Sequence, residues 1–380
     1  MYPVQQPFRI MVRPLNPRRL LVFRFGQLGD TITALPALWT LREQFPAAHL
    51  ALLSEVPSHG THLPPDAVLP KEGLLDDFLR YQGGVSWNRA LDYAGRLWNL
   101  RRQRFDTLAY LVPSTRTVRQ RQRDAAFFRL AGIGRLLGFH GFPADASPRG
   151  ADGLPMPVEH EADALMRRLA VDGVTVPGAG QGCMDLRITE AERARVLAWW
   201  AGHAEGAIPK QRWVAVCPGT KWPSKQWPVE RYLALGKKLW TEHGLLPVVL
   251  GGPEDRGIAA HLIAGWGAGR CAAGELSVRE SAALLEGAAF YVGNDTGTMH
   301  LAAAVKTPCV GVFSAQDWPE RWHPYGDSHR VLRVSVPCSG CRLPICDREL
   351  QCLTSIGVEE VYAACVAALA DAGLLSGSKD

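Results

Sequence analysis

The 380-residue chain contains no run of about 18 consecutive apolar residues, the length that a membrane-spanning helix requires. Its first residues, MYPVQQPFRIMVRPLNPRR, contain proline and arginine but lack the apolar core of a secretory signal. We therefore expect a cytoplasmic address and a flexible arm over residues 1–18. Hydrophobic residues make up 47% of the chain and charged residues 21%, which fits a globular protein of about two domains.

The chain also lacks an even number of cysteines. Nine cysteines without a secretory signal argue against a disulfide framework. Four of them, Cys338, Cys341, Cys346 and Cys352, follow the spacing C-x2-C-x4-C-x5-C. Four thiolates suit a tetrahedral structural site for zinc or iron, but the spacing matches no standard zinc finger. Local redox pairing and four unligated thiols remain the alternatives.

Strong net charge is absent as well, since the formal balance is only +5. The charge is unevenly spread, because ten arginines and two aspartates lie between Arg96 and Arg135, with aromatic residues among them. Such a surface suits an anionic substrate, a membrane or nucleic acid, although a solvated helical face has the same composition. No nucleic-acid motif accompanies it, so we expect no nucleic-acid partner.

Apolar runs and helical patterns alternate along the chain in two series, separated by the Gly- and Pro-rich stretch 173–183. This pattern predicts an α/β protein with two parallel sheets, each covered by helices. Strands are expected at 19–25, 49–54, 105–112, 135–140, 212–218, 245–252, 288–293 and 308–313. Ligands of such sheets bind beyond the carboxyl ends of the strands, so two facing sheets predict a cleft between domains.

The first candidate site is RFGQLGDTITALPAL, residues 24–38, in which a strand runs into a glycine loop and then a helix. Gly26 and Gly29 permit a tight turn and a close approach to a ligand. Asp30 stands at the helix start, where it is either a helix cap or a general base for a hydroxyl. Pro36 predicts a kink in this helix.

A second candidate, CPGTKWPSKQWP over residues 217–228, follows a strand in the second half of the chain. Thr220, the loop N–H groups and a lysine offer what a diphosphate needs. A surface loop whose tryptophans pack on the sheet is the structural alternative. In LLPVVLGGPED, residues 245–255, two acids follow a strand end, and Glu254 is the better candidate for ribose hydroxyls. Acids that simply favour a helix start are the alternative there.

The stretch NDTGTMHLAAA, residues 294–304, lies between two apolar runs. Asp295, Thr296 and Gly297 are expected at a helix N-terminus, where exposed N–H groups form an anion site. His300 follows Thr296 by four residues and shares its helical face. It either approaches the same ligand or is a buried hydrogen-bonding residue.

Together these motifs resemble glycosyltransferase family 9, which contains the ADP-heptose:lipopolysaccharide heptosyltransferases. The resemblance rests on G-x-x-G-D with P-A-L, on P-G-T followed by K-x-W-P, and on N-D-T-G-x-M-H-L-A-A-A, and it covers residues 19 to 369. It implies the two-domain GT-B fold, in which two Rossmann-like domains face a cleft. The implied boundaries are 19–185 for the acceptor domain and 186–357 for the donor domain with the cysteine cluster 338–352, while a helix at 358–372 packs back on the first domain.

The resemblance also implies a function, namely inverting transfer of heptose from ADP-heptose to a lipopolysaccharide core or related acceptor, without a catalytic metal or other cofactor. Asp30 corresponds to the catalytic base and Lys225 to the lysine at the donor diphosphate, with Thr220 nearby. Asp295, Thr296 and Gly297 correspond to the phosphate-binding helix start, and Glu254 to a ribose acceptor. The implied acceptor is an anionic glycolipid. We expect the basic stretch to bind its anionic core. Peripheral contact with the inner membrane is also implied.

Other functions remain open at this stage. A related transferase with another nucleotide-sugar donor or a protein acceptor has the same motifs. An epimerase of the same fold also binds a nucleotide sugar, but turns it over without an acceptor. A non-catalytic nucleotide- or metal-binding module is a third class, in which loss of Asp30 has no measurable effect.

Overall fold

The computed structural model describes residues 15–56, 63–82, 89–203 and 212–375. Most of the arm expected over residues 1–18 therefore lies outside the described residues. The strands in chain order are β1 Arg19–Phe23, β2 His49–Val56, β3 Asp77–Gln82, β4 Thr107–Tyr110, β5 Arg135–Leu137, β6 Trp213–Cys217, β7 Leu246–Val249, β8 Arg270–Cys271, β9 Tyr291–Asn294, β10 Cys309–Phe313 and β11 Arg330–Arg333.

Helices alternate with these strands, as the sequence pattern predicts. They are α1 Leu28–Thr33, α2 Leu35–Gln44, α3 Arg89–Gln103, α4 Val118–Leu130, α5 Glu161–Val171, α6 Glu190–His203, α7 Val229–His243, α8 Arg256–Trp266, α9 Val278–Leu285, α10 Gly297–Ala304, α11 Gln351–Thr354 and α12 Val358–Asp371.

The strands form two sheets. The first has the order β3-β2-β1-β4-β5 and the second β11-β10-β9-β6-β7-β8, and every paired strand is parallel. Central strands such as β6 are buried along their whole length, because helices cover both faces of a parallel sheet. The prediction of two parallel α/β units is confirmed.

The kink expected at Pro36 is present. The helical stretch after the glycine loop is divided at Ala34, which ends α1 and begins α2. Pro36 occupies the first turn of α2, where its missing N–H leaves no helical bond unmade. The short helix α1, which carries Asp30, is therefore a separate element from α2.

The chain passes from the first unit to the second between α5 and α6, because α5 packs on α2 whereas α6 packs on α9. The expected boundary at residues 185 and 186 falls inside this passage and stays a prediction. The expectation that the helix at 358–372 packs on the first unit is wrong. Helix α12 packs on α7, β10 and β11, and its face of Val361, Cys365, Ala368 and Leu369 belongs to the apolar core of the second sheet.

Helices α1 and α10 bring the two units into direct contact. A Cβ atom placed on Gly297 would lie 2.7 Å from the side chain of Leu28, so only glycine permits this approach. The loops after β1 and β9 therefore face each other across the boundary between the sheets. Within the described residues, we find no helix with both the length and the apolar character needed to cross a membrane.

Candidate active site

The loop after β1 holds Asp30 in a defined orientation. Its carboxylate Oδ2 accepts a hydrogen bond from the backbone N–H of Gln27 at 2.8 Å, so Asp30 does cap α1. Its Oδ1 lies 3.3 Å from Nη2 of the buried Arg24, and 22% of the Asp30 side chain stays exposed. Gly26 has a φ of +130°, and a Cβ there would lie 2.5 Å from Asp30, so this tight turn requires glycine. The capping role and the presentation of a carboxylate are therefore compatible.

Lys225 and Asp295 meet on the other side of this contact. The Lys225 Nζ atom lies 2.6 Å from Asp295 Oδ2, and both side chains are largely buried, with 20% and 9% of their surfaces exposed. Two residues 70 positions apart are thus brought together at adjacent strand ends, because β6 and β9 are neighbours in the second sheet. The sequence predicted both residues at one site, and the structure brings their side chains together. Their role at a diphosphate stays a prediction.

Asn294 supports this arrangement, and sequence analysis assigned it no role. It is fully buried at the end of β9. Its Oδ1 accepts from Trp227 N and Tyr232 Oη, and its Nδ2 donates to the carbonyl oxygen of Pro218. One side chain therefore fixes both ends of the loop that carries Lys225. A buried asparagine between an apolar strand and a helix start was the available signal.

Thr220 follows β6 and Thr296 follows β9, and these two strands are neighbours in the second sheet. Thr220 Oγ1 accepts from Trp222 N at 3.3 Å, which shapes the loop between Pro218 and Lys225. Thr296 is the N-cap residue of α10, has no side-chain capping bond, and lies 3.0 Å from Thr298 through the two hydroxyl oxygens. With Gly297 as the first residue of α10, the expected helix start is confirmed.

His300 lies inside the contact between the two units and is 3% exposed. A Cβ atom on Gly29 would approach His300 Cδ2 to 2.8 Å, so the imidazole lies directly against the loop that carries Asp30. Burial, together with the smaller effects of the nearby His160 and Lys225, lowers the pKa of His300 to about 3. The imidazole is therefore neutral at physiological pH. Its Nδ1 atom is buried and has no hydrogen-bond partner among the described residues.

The two acids after β7 take different positions. Glu254 is exposed, whereas Asp255 is half-buried and lies against the strand-end glycines, so that a Cβ atom on Gly219 would fall 1.9 Å from Asp255 Oδ1. Asp255 Oδ2 also accepts from Gly252 N at 2.9 Å. Burial raises the pKa of Asp255, and the neighbouring Glu254 raises it further. The role of Glu254 stays a prediction, and Asp255 is the acid that the fold directs toward the carboxyl ends of β6 and β7.

The two tryptophans of the loop differ in the same way. Trp227 is fully buried and donates through Nε1 to the carbonyl oxygen of Ile356, so it packs structurally as the alternative reading proposed. Trp222 is 42% exposed, and its ring centroid lies 5.8 Å from Lys225 Nζ. Lys221, which directly precedes Trp222, donates through Nζ across the boundary to Gln27 Oε1 at 3.0 Å. The loop therefore touches the residue whose N–H holds the Asp30 carboxylate.

The four clustered cysteines do not assemble into a metal site. Cys338, Cys341 and Cys346 line one cavity of about 270 Å³, and each of the four is a free thiol. Over the described ranges of the chain, no three His, Cys, Asp or Glu side chains are arranged to hold a metal ion. The donor set required for tetrahedral zinc or iron is not gathered here, so the structure gives no support to the expected metal.

Comparisons with known proteins show which family and which fold the chain is similar to. Residues 173–349 match the family model described as glycosyltransferase family 9 (heptosyltransferase). This match covers a little under half of the chain, and over that stretch the chain is similar to the family. Lipopolysaccharide heptosyltransferase 2 of Escherichia coli K12 is 30% identical over 155 residues, which are 39% of this chain and 42% of that relative. The chain thus spans less than half the length of this curated relative.

Solved structures show that the likeness of fold extends over both units. A family 9 glycosyltransferase from Veillonella parvula superposes with a TM-score of 0.70 at 19% identity, over 94% of this chain and 98% of that one. An E. coli heptosyltransferase solved with ADP-2-deoxy-2-fluoro heptose superposes with a TM-score of 0.62 at 17% identity, over 92% and 99%. The two-domain GT-B fold expected from the sequence motifs is therefore confirmed.

Proposed function

We propose that this protein is an inverting glycosyltransferase that moves heptose from ADP-heptose to a lipopolysaccharide core or a related anionic glycolipid. The observation that carries the proposal is the meeting of α1 and α10, which brings Asp30 toward a buried Lys225–Asp295 pair at a helix N-terminus. A base and an anion site on opposite walls of one cleft are what transfer from a nucleoside diphosphate sugar requires. The named relatives, a lipopolysaccharide heptosyltransferase and an ADP-heptose-analogue complex, support the choice of substrates.

Asp30 is proposed as the general base. Its carboxylate is held from two sides and remains partly exposed, so it can accept the proton of an acceptor hydroxyl. The deprotonating oxygen attacks the anomeric carbon from the face opposite the diphosphate, and the configuration is inverted as the carbon–oxygen bond to the diphosphate breaks. General base assistance of this kind contributes about 10²- to 10⁴-fold to the rate.

The leaving diphosphate needs positive partners as its charge grows. Lys225 supplies an ammonium group, Thr220 a hydroxyl, and the start of α10 at Thr296 and Gly297 supplies backbone N–H groups and the positive end of the helix dipole. When the donor binds, Lys225 turns from Asp295 to the diphosphate, and Asp295 becomes free to accept from sugar hydroxyls. These groups provide the stabilisation that a metal provides in other transferases, so the proposed reaction uses no metal.

The nucleoside is proposed to lie beyond β6 and β7. Glu254 or Asp255 accepts from the ribose hydroxyls there, and the half-buried Asp255 is better placed at the strand ends. The neutral His300 cannot act as a cationic acid at physiological pH, so we assign it to contact with the bound donor through its unpaired Nδ1 atom.

The acceptor is proposed to approach from the first sheet. Arg116 stacks on Phe25, next to the Asp30 loop, at 5.0 Å from the ring centroid, and Arg119 is exposed on the first turn of α4. Residues Arg101, Arg102 and Arg129 lie at the opposite end of the α3–α4 layer, since Arg101 Nη1 reaches the carbonyl oxygen of Leu130. The cleft end suits the anionic core of the acceptor, and the remaining surface suits peripheral contact with an anionic membrane.

A transfer assay with ADP-heptose and a heptose-free lipopolysaccharide core tests the proposal. The wild type should form the heptosylated product, whereas Asp30→Asn should lower kcat by about 10²- to 10⁴-fold and leave donor binding intact in calorimetry. Lys225→Met should weaken ADP-heptose binding, and Lys237→Met is the matched control, because Lys237 is exposed on α7 away from the cleft.

The outcomes separate the parts of the proposal. Binding and transfer from UDP- or GDP-sugars instead of ADP-heptose would retain the mechanism and remove the heptose. Donor turnover that needs no acceptor would identify an epimerase. Transfer that survives Asp30→Asn undiminished would remove Asp30 as the base.

A further inference from the structure

Arg24 is a buried cation that the proposed reaction has not used. It follows β1 directly, and only 2% of its side chain is exposed. Its Nε and Nη2 atoms donate to the carbonyl oxygen of Asp30 at 3.0 and 2.6 Å, and Nη2 also lies 3.3 Å from Asp30 Oδ1. Nη1 donates to the carbonyl oxygen of Leu111 at 2.8 Å. One guanidinium therefore ties the backbone and the carboxylate of Asp30 to the end of β4.

Burial of the Arg24 charge costs free energy, so its partners in the structure need to be identified. A buried guanidinium is tolerated when its donors are satisfied and its charge is paired. The nearby carboxylates are Asp30 and Glu161, and Glu161 is itself 1% exposed and bonded to Ser114 N at 2.9 Å. Burial raises the pKa of Glu161, against the lowering effect of Arg168 and Arg24. Of these two carboxylates, Glu161 is buried and the Asp30 carboxylate is partly exposed.

We propose that Arg24 is the positioning residue of the proposed base, since it fixes both the α1 backbone at Asp30 and the rotation of its carboxylate. This inference rests on the proposed function. Arg24 holds Oδ1 and the Gln27 N–H holds Oδ2, so the carboxylate plane cannot turn freely about the Cβ–Cγ bond. The oxygen that accepts the proton therefore meets the acceptor hydroxyl in one orientation. Positioning of this kind governs kcat, because a displacement of about 1 Å costs roughly 10²-fold in rate.

If Arg24 had only a structural role, its replacement would lower kcat equally with and without the Asp30 carboxylate. A double-mutant cycle therefore separates a structural role from a positioning role. Arg24→Lys keeps the positive charge but loses the fork that grips the Asp30 carbonyl and carboxylate together. We expect it to lower kcat about 10- to 100-fold, with donor and acceptor KM values within about threefold of wild type. In an Asp30→Asn background the same change should have almost no further effect on kcat, because there is no base left to position.

Arg42→Lys is the matched control. Arg42 is also a partly buried arginine of the first unit that donates to main-chain oxygens, of Leu74 at 2.9 Å and Ala48 at 3.0 Å, but it lies away from Asp30. Its replacement should leave kcat unchanged, and thermal unfolding should show that both lysine variants stay folded at the assay temperature.

A second variant covers the case in which Arg24→Lys unfolds. Gln27→Pro removes the N–H that holds Oδ2, and the Gln27 φ of −86° is close to the value that proline adopts. It should lower kcat more than Gln27→Leu, which removes the side-chain contacts with Lys221 and with the backbone N–H of Asp30 but keeps the Gln27 N–H that holds Oδ2. Equal losses in both Asp30 backgrounds, or an effect on KM alone, would overturn the positioning role. Absence of transfer by the wild type would instead reject the proposed function.

Discussion

Gly29 shows how one missing side chain determines whether the two units can meet. The imidazole of His300 fills the space in which a Gly29 Cβ would lie, at 2.8 Å from Cδ2 and 3.3 Å from Nε2. His300 is buried and cannot move aside without disturbing α10. The meeting of the two units therefore depends on a glycine that the sequence motif explained by a tight turn and a close approach to a ligand, and not by contact with His300.

We expect Gly29→Ala to oppose closure of the cleft. Overpacking of this kind costs about 1–3 kcal/mol, so the closed arrangement should be disfavoured about 5- to 150-fold and kcat should fall accordingly. Steady-state transfer kinetics measure the loss. Gly95→Ala is the control, because that helical glycine has nothing within 4 Å of its Cβ position. A kcat for Gly29→Ala equal to that of the control would show that catalysis does not require this contact.

At the scale of elements, the central strands were predictable from the sequence, whereas the edge strands β3 and β11 were not. Strands β1, β4 and β6 are continuous apolar runs, because a parallel sheet buries both of their faces. Strand β3 is DFLRYQ at the edge of the first sheet, where no described side chain is fully buried, so no apolar run marks it. Strand β11 is RVLR at the edge of the other sheet and was missed for the same reason.

The partner of α12 was unpredictable for a different reason. Its apolar positions, Val361, Cys365, Ala368 and Leu369, follow the period of a helix, which shows that one face is buried. The period carries no information on which sheet covers that face. Contacts such as Tyr362 Oη to Glu242 and Lys238 Nζ to Glu359 tie α12 to α7. The helix therefore stabilises the second unit.

Leu369→Ala tests this assignment. Leu369 is 1% exposed in the core of the second sheet, and removing such a side chain costs about 2–5 kcal/mol of unfolding free energy. Denaturant unfolding should show the loss, and bound ADP, which we assign to the same unit, should recover part of it. Leu375→Ala is the control, since that leucine is 39% exposed. No loss of stability in the core variant would contradict the observed packing of α12.

At the scale of the whole molecule, the candidate site exists only where both units contribute. Asp30 and Gln27 come from the first sheet, and Lys221, Lys225 and Asp295 come from the second. The motifs identified most of these residues, since each follows a strand at its carboxyl end. The contacts between units, such as Gln27 with Lys221, join residues 194 positions apart, and no local pattern predicts such pairs.

In the folded molecule, the arginines of the basic stretch lie at two opposite ends of the α3–α4 layer. Helix α4 has 13 residues and is therefore about 20 Å long, so its two ends face different regions. Arg119 lies at the cleft end, and Arg102 lies near the opposite end at the close of α3. Both arginines are exposed, which makes them a matched pair for a test of where the acceptor binds.

Arg119→Glu should raise the KM for the anionic acceptor, leave the KM for ADP-heptose unchanged, and reduce the salt dependence of acceptor binding. Reversal changes the charge by two units, and each exposed contact of this kind contributes up to about 1 kcal/mol, so we expect an acceptor KM about 5- to 30-fold higher. Arg102→Glu makes the same change in net charge and should leave both KM values near those of the wild type. Equal effects of the two variants would mean that the acceptor responds to overall charge, and an effect of Arg102→Glu alone would place the acceptor at the far end of the layer.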